Sequence, residues 1–558
     1  MTKTTDGAPP VLNFEFSSLL NLFGIWNLGF GASAPGAAFG AWNFLRRGSR
    51  FGLISPQGGV GFSSVLGLIC PPPGIPISEH SKSRMCKGSA MSTAGLVVLS
   101  IWLLTTAGIG QGLERPWPRH TIDGSSRGAD GVRLADIDGD GLPDIATGWE
   151  EGGISRAYVH PGPARARETW PAVTVGATES VEDAVFVDLD GDGAMDLVSC
   201  CEGKRRTVFV HWAPTDKSQL LSRLPWRQEP IPVTQDLMQW MFAYPMQVDG
   251  KHGVDLVVGG KGSDAWLGWL QSPANPRDLA AWKWHPLTKV GWTMSIFAYD
   301  MDGDGDLDIV LTDRRGELRG CRWLENPGPG PGLTREWPNH FLGGRDVEVM
   351  FLILADLDQD GRTDVLVAAK EAQVLWFRRL DGSGWRWAET RIPFPENMGT
   401  AKGIAVGDID GDGRMDIVVS CEGAQPPRSG VKWMSYQTSP FDPNWQGHEI
   451  SGPAGVKFDL LQLLDLDGDG DLDVLTCEET HNLGVIWYEN PHRRPGGGRN
   501  KAAWRGNSKH QIPNLKHTAP AERSIQNPKF QGSKRWRPGA PALPAGRQPF
   551  WIFNFLPF

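Results

Sequence analysis

The chain has 558 residues and a formal net charge of −9, with 70 Gly, 43 Pro and 25 Trp. This composition favours many short strands and turns and excludes a mainly helical architecture. The charge is uneven: residues 491–550 carry thirteen Lys or Arg against one acid, and this +12 stretch leaves −21 for the rest, which argues against nucleic acid as the partner of the main domain and suits cations.

Residues 1–84 are rich in Phe, Trp, Gly and Pro without periodicity, and read as a low-complexity leader that results from an over-extended start, with Met85 or Met91 the initiator; a disordered leader is the alternative. From Met85 the chain runs MCKGSAMSTAGLVVLSIWLLTTAGIGQG: one Lys, an apolar run from Ala94 to Ala107, then small residues. Residues 85–110 therefore predict a signal peptide cleaved after Gly110. The apolar run is shorter than the ~20 residues of a membrane span. No span is expected after cleavage, and the location is expected to be secreted, periplasmic or cell-surface.

From residue 113 a repeat takes over. Seven times the chain returns to Asp-x-Asp-Gly-Asp-Gly-x-x-Asp followed by apolar residues, in copies that begin at Asp136, Asp188, Gln247, Asp300, Asp356, Asp408 and Asp465. The spacing of 52 to 59 residues matches a four-stranded blade. A polar strand with a Trp precedes each copy, most clearly at Trp117, Trp337 and Trp445 and more loosely at Trp170, Trp226, Trp284 and Trp387. A Trp strand follows the motif, as in Val208-Phe-Val-His-Trp and Val485-Ile-Trp-Tyr. Residues 113–512 thus predict an all-β fold, a seven-bladed β-propeller of four-stranded antiparallel blades with calcium loops. The ring is expected to close with the N-terminal strand Trp117 to Ile122 completing the last blade; Trp504 to Ile512 is the competing strand, and an open array is the alternative.

The recurring Trp residues, with His120, His340 and His448, read as packing and hydrogen-bonded structural groups. The seven cysteines (Cys70, Cys86, Cys200, Cys201, Cys321, Cys421, Cys477) form no CxxC pair and no regular framework, and read as small core residues. After residue 512 the chain to 558 is basic, Pro-rich and aperiodic, and is expected to be a disordered tail.

The aspartate loops carry the chemistry. Carboxylates at positions 1, 3, 5 and 9, with the position-7 carbonyl, offer hard oxygen donors around one point, which suits Ca2+ and not zinc or copper. The expected sites are Asp136, Asp138, Asp140 and Asp144; Asp188, Asp190, Asp192 and Asp196; Asp300, Asp302, Asp304 and Asp308; Asp356, Asp358, Asp360 and Asp364; Asp408, Asp410, Asp412 and Asp416; and Asp465, Asp467, Asp469 and Asp473. The third copy reads Gln247-Val-Asp249-Gly-Lys251-His-Gly-Val-Asp255 and is expected to bind no calcium, with Lys251 paired to Asp249 or Asp255. An EF-hand is excluded because Thr147, Ser199 and Leu311 stand where its bidentate Glu would be.

The loops ADIDGDGLPDIATG, GDIDGDGRMDIVVS and LDLDGDGDLDVLTC resemble those of the FG-GAP/VCBS repeat family, integrin-α-like calcium-binding propellers in their bacterial exported branch. The resemblance covers about residues 113 to 491 and implies that the aspartate loops share one face of the ring. The residues six before each loop would then approach the opposite channel mouth: Asp130, Glu182, Met241, Met294, Met350, Lys402 and Asp459. Near the ends of the following strands stand Glu150, Glu202, Lys261, Arg314, Lys370, Glu422 and Glu479. The mouth is expected to divide into an acidic sector (Asp130, Glu150, Glu182, Glu202, Asp459, Glu479) that binds ligand and an opposite basic and apolar one. With no catalytic constellation evident, the expected function is a non-catalytic binding or scaffold module for glycans or cell-surface proteins. The alternative is a carbohydrate-active lyase or hydrolase with its site at the mouth.

Overall fold

The computed structural model describes residues 114–492. The leader, the signal-peptide segment, Cys70 and Cys86, the Trp504 to Ile512 candidate strand and the basic tail lie outside the described residues. Each repeat forms one antiparallel sheet of four strands, and seven such sheets pack in a ring through their inner strands. The second strand of a blade is covered on both faces by adjacent blades and paired on both edges. Its sequence is accordingly a nearly unbroken apolar run: Asp144–Trp149, Asp196–Cys201, Asp308–Asp313, Asp364–Ala369 and Asp473–Glu478 are buried at every residue. The outer strands Arg227–Pro230 and Gln446–Glu449 bury no residue fully.

Closure joins the two ends of the propeller. Arg119–Asp123 is the fourth strand of the last blade, antiparallel to Gly484–Tyr488, with His120 opposite Trp487 and Thr121 opposite Ile486. Trp117 and Ile122 are buried, and the Trp117 N–H donates to the Ile450 carbonyl at 2.9 Å. No helix among the described residues is long and apolar enough to cross a membrane.

The repeated aromatics staple the blades. Third-strand Trp212, Trp269, Trp323, Trp376, Trp433 and Trp487 are buried, and the Trp269 and Trp487 indoles donate into the next blade, to the Leu333 and Ala166 carbonyls at 3.0 and 3.2 Å. Trp170, Trp226 and Trp337 donate to the Ala166, Leu220 and Leu333 carbonyls of the turns that precede them. In the third blade this role falls to Trp282, which donates to the Pro276 carbonyl at 2.9 Å, and not to Trp284, which packs edge-on against Trp240. The Trp-x-x-His spacing of Trp282 and His285 carried that signal in the sequence. His120, His285, His340 and His448 each lie over the Trp opposite on the third strand, with centroids 4.0 to 4.8 Å apart. The five described cysteines are buried and free.

One irregularity aims side chains at the channel. Six inner strands shift register against their neighbours near their starts, between Asp130 and Arg133, Val181 and Asp183, Trp240 and Phe242, Thr293 and Ser295, Val349 and Leu352, and Ala401 and Ile404. A β-bulge re-aims the side chain it displaces. Glu182, Met241, Met294, Met350 and Lys402 occupy these bulges, and Asp130 borders one.

Candidate functional site

The aspartate loops join first to second strands, and their carboxylates organise the backbone before any ion is considered. Asp136 accepts the N–H groups of Gly139 and Gly141 at 2.7 and 3.0 Å, Asp138 that of Asp140, and Asp140 that of Leu142. Gly141 has φ +86°, a conformation in which glycine meets no steric penalty. The ninth residue is a clamp: the buried Asp144 accepts the Ile137 N–H from its own loop and the His160 N–H beyond the third strand, both at 2.8 Å. Asp196, Asp255, Asp308 and Asp473 do the same in their blades. Burial pushes the carboxyls of Asp144 and Asp308 up to about 7, Asp196 up to about 8 and Asp473 up to about 9.

These donor sets fit a hard divalent cation. Asp136, Asp138 and Asp144, and likewise Asp188, Asp190 and Asp196, can each present one oxygen within 4.8 Å of the others. In the last loop Asp471 is 2% exposed, and its carboxylate oxygens meet no donor, only the Asp469 carboxylate; burial and that neighbour push it up to about 8. Arginines already stand at four loops: Arg277 at Asp190 and Asp192, Arg378 at Asp358 and Asp360, Arg414 at Asp412, and Arg167 at Asp467. Among the described residues, the carboxylates of the first and fourth loops make no such ion pair.

The third loop satisfies itself. The Gln247 amide donates to the carbonyls of Lys251 and Gly253 at 3.2 and 2.7 Å and accepts the Gly250 N–H at 3.0 Å, so its NH2 group turns to the position-7 carbonyl that an intact loop offers an ion. Lys251 lies 3.4 Å from Asp249. Replacing Gln247 and Lys251 together by Asp is expected to add one calcium ion per chain in a calorimetric titration; an unchanged stoichiometry would show that more than the donor set was lost.

At the opposite end of the inner strands a cavity of about 320 Å³ opens at the channel mouth. It gathers Asp130, Glu150, Glu182, Glu202 and Asp459 with Met241, Met294, Met350, Lys261 and Arg314, as the offsets in the sequence predict. Glu479 and Lys370 are not in its lining, although Glu479 can approach Asp130 and Asp459. The two-sector division is corrected, because lysines enter the acidic side. Lys402 lies 2.7 Å from Asp459 with both buried, Lys457 pairs with Glu479, and Lys261 pairs with Glu182 and Glu202. Lys457 is a mouth residue that sequence reasoning missed; it precedes the last inner strand, where no motif marks it.

Burial pushes the Asp459 carboxyl up, but Lys402 outweighs it and holds the group below its usual range. Asp130 is 7% exposed and faces Asp459 without a cation of its own, and burial plus that neighbour drive it well above the usual range. Glu150 is raised by burial and by Glu479 and Glu151. The mouth thus sets a carboxyl that holds its proton more tightly than usual beside one that holds it less tightly.

The FG-GAP-like repeat family matches residues 356–419, from the fifth loop into the second strand of the sixth blade. Aldos-2-ulose dehydratase of Phanerodontia chrysosporium is 23% identical over 242 residues, 38% of this chain and 25% of that protein, so the chain spans about a quarter of the length of that relative. Among solved structures, Saccharomyces cerevisiae Sqt1 is similar at 12% identity and TM-score 0.41, over 68% of this chain and 99% of that one. BBS1N in complex with ARL6DN gives 11% and 0.39, over 70% and 98%. A luciferin-regenerating enzyme gives 12% and 0.34, over 61% and 97%. The chain is a seven-bladed β-propeller with acidic clusters on its surface, and its fold is consistent with repeats of the FG-GAP/VCBS type.

Proposed function

We propose that the chain is an exported, calcium-braced β-propeller that serves as a binding or scaffold module for glycans or cell-surface partners, with the channel mouth as its ligand site. The carrying observation is a contrast between equivalent positions. At the inner-strand bulge, blades three to five place Met241, Met294 and Met350, so the fold accepts an apolar group there. Blades one, two and six place Asp130, Glu182 and Lys402 at or beside the same bulge, and burying Asp130 and Lys402 costs free energy that packing does not require. Calcium, held by the six intact loops, would supply rigidity and no chemistry.

A second reading rests on Asp130 and Asp459. A carboxyl raised by burial and by its acidic neighbour, beside a carboxylate held low by a lysine, is the arrangement of acid and base that a lyase or hydrolase acting on carbohydrate needs. The 23% identity over 242 residues with an aldos-2-ulose dehydratase supports it. One experiment separates the readings: the calcium-loaded chain and its Asp130→Asn/Glu150→Gln variant are screened on a glycan array and incubated with an aldos-2-ulose. Saturable glycan binding that weakens about tenfold or more in the variant, with no product formed, supports the binding module. Product formation abolished in the variant supports the enzyme. Ligand binding equal in both proteins removes the mouth from either reading.

A further inference from the structure

A larger cavity, about 630 Å³, lies on the loop face among blades three, four and five. It is walled by residues at the loop ends of the inner strands, so it is separate from the mouth at their opposite ends. Its volume is within the range of small-molecule sites.

The repeat supplies an internal control. Immediately before the loops stand Ala135, Val187, Met246, Tyr299, Ala355, Gly407 and Leu464, and three residues before them Arg133, Val185, Tyr244, Phe297, Ile353, Ala405 and Gln462. The two tyrosines of these sets both line the cavity, as does Gln247, the first residue of the one loop that lacks part of the carboxylate set. Leu307 of the fourth loop, 43% exposed, forms part of its rim. Departures from a repeat that gather at one cavity are what a ligand would impose, since the fold is built without them in the other blades.

Arg379 gives the ligand its sign. A residue at the end of the third strand, or two beyond it, ties one blade to the one before it. His160 bonds to the Leu466 carbonyl and Asn490 donates to the Ile409 carbonyl, each clamping the second residue of the preceding blade's loop. Arg379 performs the same clamp on the Met301 carbonyl. A neutral ring or amide suffices in those two blades, and here a guanidinium is used. Its other hydrogen bonds go to the Asp381 and Gly382 carbonyls, it lies over the Tyr299 ring at 5.6 Å, and it is 5% exposed. No carboxylate pairs with it among the described residues, although buried charges are ordinarily paired. Arg362, at the rim, adds a second guanidinium beside its own partner Asp360.

We propose that this cavity binds a small ring-bearing carboxylate, its anionic group turned to Arg379 and its ring set against Tyr244 and Tyr299. The site is independent of the channel mouth.

The test uses the full calcium-loaded chain and three probes: benzoate, 4-hydroxybenzoate and the uncharged 4-hydroxybenzamide, followed by saturation-transfer NMR and calorimetry. The acids are expected to bind saturably and the amide about tenfold or more weaker, because a charge-assisted hydrogen bond is lost. Arg379→Gln keeps a neutral donor for the Met301 carbonyl and is expected to bring acid and amide to the same weak affinity. Tyr299→Leu is expected to weaken both acids alike, and Asp130→Asn at the mouth to change neither. Absence of saturable binding by the wild-type chain, or equal binding of acid and amide, overturns the proposal. Should Arg379→Gln fail to fold, the acid-against-amide comparison in the wild-type chain and the Tyr299→Leu variant still decide it.

Discussion

Removing divalent cations with EDTA is expected to lower the melting temperature of the chain by roughly 20 °C or more, and the untreated protein is expected to carry about six calcium ions. The size of the effect follows from mass action. A ligand that binds only the folded state at a hundred times its Kd adds about 2.7 kcal/mol per site. Six such sites exceed the roughly 5–15 kcal/mol of net stability of an ordinary domain. The structure says where the strain would appear: the carboxylates of the first and fourth loops have no arginine to replace the ion, and Asp471 in the last loop has no donor. At the other intact loops the arginines are partly exposed and can swing aside for the ion or return when it leaves. Little bound calcium and no shift would mean that backbone N–H groups and arginines close the loops unaided, and the calcium assignment would be withdrawn.

Starting the chain at Gly124 is expected to have the second large effect, because it removes the strand Arg119–Asp123 together with Trp117. Ile122 is wholly buried and Trp117 nearly so. Removing side chains of these kinds costs about 2–5 kcal/mol each. Asp123 also accepts the Tyr158 hydroxyl at 2.9 Å and pairs with Arg156, tying the last blade to the first. The truncated chain would leave Gly484–Tyr488 as an unpaired edge, the form in which sheets associate with one another. Broadened, non-cooperative thermal unfolding and concentration-dependent association on gel filtration are the expected results, both reversed by a peptide spanning residues 114–123. A truncated chain that melts cooperatively at the parent temperature would show that this strand does not hold the ring shut.

The fold was legible because a propeller repeats its chemistry. The aspartate motif with its apolar strand, and the Trp-x-x-His strand, return at blade spacing in the linear chain, and each marks the same place in a sheet. Even Trp282, misplaced by two residues in favour of Trp284, carried the correct spacing to His285. The set of mouth residues was also legible, since a constant offset from the loop places Asp130, Glu182 and Lys402 at or beside the same bulge in different blades. Their pairing was not. That Lys402 neutralises Asp459 while Asp130 is left facing a carboxylate depends on how close the ring brings blades six, seven and one, and no local pattern encodes that distance.

The sequence by itself determined the number of blades, the strand order within them, the six intact donor sets and the defective third loop, because all of these are properties of short contiguous segments whose period and residue types are read directly. Only the tertiary structure decided which strand closed the ring, how the mouth charges pair, and that Arg379 and two tyrosines line one cavity shared by three blades. Those features join residues from separate repeats, and burial and charge at such junctions are set by packing between blades.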